Sequence, residues 1–139
     1  MTARTERLPA RTADNEKITI NLGFVDLGHI DLLVQDGFYA NRTDFIRTAI
    51  RNRLDRHADA IDQSLARHRL ELGLRTVTRA ELEAAQRAGE TLHLQVLGLA
   101  VIAPDVPADL ARATISSIHV LGALQASAAV KAVLHDRIR

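Results

Sequence analysis

The chain contains no cysteine and no tryptophan. Without a thiol there is no disulfide, no thiolate metal site and no cysteine nucleophile, and such usage fits a reducing compartment. Aromatic residues make up 3% of the 139 positions while hydrophobic ones make up 47%. Aliphatic side chains must therefore fill the core, which favours helices and tight packing over an aromatic binding cleft. An excess of one charge sign is also missing, with 18 Lys and Arg against 17 Asp and Glu. No global basic field announces nucleic acid, so any such reading must rest on where the charges sit. No run reaches the ~18 apolar residues that a spanning helix needs. The opening stretch MTARTERLPARTADNEK lacks the apolar core of a secretory signal, so a cytoplasmic location is expected. Glycine-rich phosphate loops, nucleophile elbows and clustered metal ligands are absent as motifs, so the reading assigns no catalytic residue, no cofactor and no metal.

The six histidines do not change this. His57 and His68 fall near one helical stripe, but eleven residues of helix separate them by about 16 Å, too far to share an ion. His93 and His119 sit in apolar segments of the tail without the thiol or paired-histidine pattern that a nickel-type sensor would use.

Residues 1–15 mix Arg4, Arg7 and Arg11 with Thr, Ala and Pro9 without any period and read as a flexible arm. The stretch KITINLG, Lys17 to Gly23, alternates: Ile18, Ile20 and Leu22 point one way and Lys17, Thr19 and Asn21 the other, as in a strand with one face to bury. A lone strand cannot satisfy its own backbone. Next, Leu27, Ile30, Leu33 and Val34 recur at helical spacing, with Asp26 as the expected N-cap and Gly37 as terminator. In ANRTDFIRTAIRNRL, Asn41 can accept from the backbone at position 44, and Asp44 is placed for the return bond of a capping box. Ile46, Ala49, Ile50 and Leu54 make the apolar stripe of that second helix, and Ile61, Leu65 and Leu72 extend it past an expected break near residue 57. Thr78, Glu81 and Gly89 bracket a further short helix.

The second half repeats itself. VLGLAVIAPDVPADL from Val96 aligns with VLGALQASAAVKAVL from Val120, matching Val96, Leu97 and Gly98 to Val120, Leu121 and Gly122, then Val106 to Val130 and Leu110 to Leu134. The offset of 24 lies in the range of stacked structural repeats. Two copies leave apolar ends uncovered, so Val96, Leu97, Val120 and Leu121 are read as oligomerisation residues. The pattern is loosely similar to bactofilin-like β-solenoids, which use more copies.

Residues 17–56 resemble the ribbon-helix-helix DNA-binding proteins, in the order strand, short helix, turn and longer helix and in the stretch NRTDFIRTAIR. The resemblance implies an intertwined homodimer whose paired strands enter the major groove of double-stranded DNA. Ile18, Ile20, Leu22, Ile30, Ile46 and Ile50 would form the shared core, and Lys17, Thr19 and Asn21 would face the bases. Lys can donate to guanine, Asn can bridge adenine, and the Thr methyl can meet thymine. The start of the second helix, Asn41, Arg42 and Thr43, would grip a phosphate. Asp14 and Glu16 flank the strand and repel phosphate, which lowers the affinity expected of a single site.

The expected architecture is thus α+β. It comprises an arm (1–15), a ribbon-helix-helix domain (16–57), a helical connector (58–90) and a β-rich, solenoid-like repeat module (91–139) for oligomerisation. The expected function is sequence-specific DNA binding as a transcriptional regulator, a repressor, and not catalysis. Two rivals are an antitoxin-type protein whose second half binds a partner protein, and a polymer-forming scaffold tethered to DNA. An antitoxin tail is usually charge-rich and disordered until bound; this tail is aliphatic and repetitive.

Overall fold

The computed structural model describes residues 15–139; apart from Asn15, the arm expected over residues 1–15 lies outside them. The chain divides into two compact units, residues 17–64 and a second unit built mainly from residues 65–139.

In the first unit, α1 spans Phe24–Gln35 and α2 spans Arg42–Arg56. The first helix starts after Gly23, earlier than the Asp26 cap expected from the sequence, and Asp26 lies inside its first turn. There its carboxylate still faces the positive end of the helix dipole. The end is as expected: Gly37 adopts φ +86, the Gly37 N–H donates to the Val34 carbonyl at 3.1 Å and the Phe38 N–H to the Leu33 carbonyl at 3.0 Å. This pair of bonds closes the helix because glycine enters the left-handed region without penalty. After α2, His57 breaks the helical path and α3 (Ala58–His68) begins.

The second unit is a three-stranded parallel sheet in the order β1 (Glu71–Val77), β2 (Leu92–Ile102), β3 (Ile115–Gln125). Each strand is followed by a helix: α4 (Arg79–Ala88), α5 (Ala108–Thr114) and α6 (Ala128–Val133), with a final 3-10 turn at His135–Arg137. The core holds Val77, Leu82, Leu94, Ile102, Ile115 and Ile118 among others. Val106, Leu110, Val130 and Leu134, the paired positions of the repeat, are all buried. The register sets Val96 beside Val120, Leu97 beside Leu121 and Gly98 beside Gly122.

The stretch expected to be a helical connector, residues 58–90, is not wholly helical: it holds α3, β1 and α4, and β1 is the first strand of the sheet. Leu72 and Gly73 pair with Leu97 and Gly98, so the sheet has one more strand than the two aligned copies indicate. Polar residues masked it. Arg75 sits where β2 has Ala100 and is held by the carboxylates of Glu81 and Glu71, which lets a charged residue occupy a partly buried strand position.

The three aligned glycines have positive φ, +109, +136 and +121 at Gly73, Gly98 and Gly122. A Cβ on Gly98 would overlap the Gly73 carbonyl oxygen, and one on Gly122 would overlap that of Gly98. Both positions thus need glycine twice over, for conformation and for strand approach.

Candidate nucleic-acid interface

Residues 16–23 form neither helix nor strand in the single chain. Lys17, Thr19 and Asn21 are exposed, but so are Ile18, Ile20 and Leu22, at 73%, 56% and 41%. An alternating segment with both faces wet has no reason to hold an extended form; it needs a partner strand for its backbone and a cover for its isoleucines.

The helices repeat the message. In α1 only Ile30 is buried, and α2 has no buried residue. Ile46 is half-buried and Ile50 is 47% exposed. Between them runs an apolar groove of about 440 Å³, lined by Ile20, Leu22, Ile30, Phe45, Ile46 and Ile50 among others. Five of the six residues read from the sequence as a dimer core therefore line one concavity, which a single chain leaves open; Ile18 is not among its lining residues.

Local contacts fix the turn between the helices. Asn41 Oδ1 accepts from the Asp44 N–H at 2.8 Å, as the capping pattern predicts, while Asp44 Oδ2 accepts from the Ala40 N–H at 2.9 Å. The return bond therefore lands one residue before the cap. Tyr39 and Phe45 meet edge to face with centroids 5.0 Å apart, bracing the loop against the first turn of α2.

Arg42 has a partner that the sequence did not suggest. Its Nε and Nη2 donate to the two carboxylate oxygens of Asp31 on α1, at 2.7 and 2.8 Å. The paired guanidinium holds the Asp31 carboxyl below the usual carboxylate range, first through the hydrogen bonds and then through charge. Arg42 thus ties α2 to α1, and a phosphate at this helix start would compete with Asp31 for it. Arg47, Arg51, Arg53 and Arg56 of the same helix are exposed.

Of the residues read as oligomerisation contacts, Val96 is fully buried in its own module and Val120 packs against that core. They face the helices and are not available as first points of contact. Because neighbours in a strand alternate, Leu97 and Leu121 stand on the other face, where Leu121 is 49% exposed.

His93 Nδ1 lies 2.8 Å from Ser117 Oγ across the sheet. Among the described residues no three His, Asp or Glu side chains gather in a way that could hold a metal ion, and no helix is long and apolar enough to cross a membrane.

A wet alternating segment, two helices with Ile30 as their buried residue and a capped second helix leave an apolar surface that the single chain does not cover. Residues 13–131 match the ribbon-helix-helix transcriptional regulator family, and the chain belongs to it. The match runs through β3 and into α6, so the sheet unit is part of what the family shares. No curated protein and no solved structure matches the chain significantly.

Proposed function

We propose that this chain is a sequence-specific regulator that binds the DNA major groove as an intertwined dimer, represses by occupying its operator, and uses its sheet module to join copies. The observation that carries the reading is the pairing of an exposed apolar ribbon face with an open apolar groove in the same unit. Two chains would bury both while presenting Lys17, Thr19 and Asn21 outward, on a ribbon that fits the groove. The antitoxin-type reading has less support, because the second half already possesses its own packed core.

The test is selection of DNA from a random pool by the full-length protein. Enrichment of an inverted repeat is expected, since a two-fold protein reads two half-sites. Within that site, Lys17→Ala and Asn21→Ala should each relax preference by about 1–3 kcal/mol at one base pair per half-site. Absence of any enriched sequence would overturn the reading.

Arg42 supplies a separate check. Arg42→Ala should lower affinity for all sequences alike and flatten the salt dependence by about one unit per chain. Asp31→Asn should act in the opposite direction, because it removes the carboxylate that competes with phosphate. Titrations at several salt concentrations measure both, and identical slopes for the three proteins would remove Arg42 from the interface.

A further inference from the structure

Among the described residues, helices cover the sheet module on one face only. Its helices pack on the side that holds Val96, Ala100 and Ile102, whereas the opposite side carries Leu72, Leu97 and Leu121 in one row across the strands and Leu74, Leu99 and Ala123 in the next. Leu72 and Leu74 are 72% and 68% exposed. All-parallel sheets occur almost only with both faces covered, because the strands are apolar on both. This one is not covered by its own helices.

We propose that this open face is a homotypic interface, which packs against the same face of a second copy. The chemistry selects that occupant. The strand positions on this side include no Asp, Glu, Lys or Arg: beyond the aliphatic rows they hold Thr76, His93, Gln95, Ser117, His119 and Gln125. The strand surface itself thus offers nothing to attract a charged partner and can meet its own copy without opposing like charges, as an isologous contact requires, while the Glu16 carboxylate stands at the edge of the groove. Its relief suits the same contact. Beside the leucine row, a groove of about 580 Å³ follows Gly73, Gly98 and Gly122, and Asn15 and Glu16 give it a polar rim. Gln125, which also lines the groove, has a shielded side-chain oxygen without a hydrogen-bond partner among the described residues. The occupant is also close at hand. Dimerisation through the first half places two copies of the module in one particle, at an effective concentration of about millimolar for a short connection. The inference therefore rests on the dimer proposed above.

The absence of native cysteine makes the test direct. A single thiol is placed in the full-length chain either at Leu121, by Leu121→Cys, or on the exposed Glu83 of α4, by Glu83→Cys. Labelling with a small maleimide is timed while light scattering reports the number of chains per particle. The expected result is a multi-chain particle in which the thiol at 121 reacts at least about tenfold more slowly than the one at 83, as a closed interface demands. Adding Leu72→Asp should restore fast labelling at 121 while the ribbon-helix-helix dimer persists. Equal labelling in a particle of two or more chains would overturn the interface and leave the dimer standing. Particles of one chain would overturn the dimer reading, and with it this inference, whatever the labelling rate.

Discussion

Gly122→Ala is expected to abolish cooperative folding of the sheet module in the full-length chain, with a loss of more than about 3 kcal/mol. Two independent penalties meet at this residue. Its φ of +121 lies where a side chain is strained, and the added methyl would overlap the carbonyl oxygen of Gly98 on the neighbouring strand. That oxygen belongs to a backbone held by the ladder on both sides and cannot yield cheaply. Gly73 provides the control. Its φ is +109, but nothing lies within 4 Å of the position a Cβ would take, so Gly73→Ala should lose only the conformational part, about 1–2 kcal/mol. Chemical denaturation followed by circular dichroism measures both. Equal losses would mean that the close approach of the strands is not what demands glycine.

The second large effect falls on the other half. Ile30 is 6% exposed and is the buried residue of α1, at the floor of the groove that a second chain would fill. Ile30→Asp would place an unpaired charge there at a loss of about 3–5 kcal/mol, comparable to the whole stability of a small domain. Because the first unit has so little core of its own, the expected outcome is loss of dimer and of α1–α2 helicity together, and not a folded monomer. DNA binding should vanish with them, while the sheet module keeps its own unfolding transition. Sedimentation combined with circular dichroism decides; a folded, helical monomer would refute the shared core.

These effects explain which parts of the molecule could be read from residue order. Helix ends were legible where one residue does one local job: Asn41 as a cap, Gly37 and Gly89 as left-handed stops. The start of α1 was not, because Gly23 caps without a side-chain bond and the acidic Asp26 mimics a cap from within the first turn. The repeat was legible from Val96 onward, where aliphatic residues recur at a constant offset. Its first strand was not, because Arg75 and Glu71 break the apolar pattern, and Arg75 gains its partly buried place through Glu81, which lies on the next helix. The same limit applies to Val96 and Val120: the sequence marks them as apolar, but only the packing of α4, α5 and α6 on one side separates core positions from the open face. At the start of α2, the Asp31 carboxylate that holds Arg42 is eleven residues away, beyond the reach of any helical pattern.

The central claim is that the ribbon residues read sequence, and one comparison addresses it most directly. Affinities of the full-length wild type and of the triple variant Lys17→Ala, Thr19→Ala, Asn21→Ala are measured for the selected site and for a scrambled duplex at one fixed salt concentration. The side chains of all three are exposed, so the variant should remain a folded dimer. The wild type is expected to prefer its site by about 10³-fold or more, and the variant to bind both duplexes nearly alike, through phosphate contacts alone. A folded, dimeric variant that keeps the wild-type preference would contradict the account.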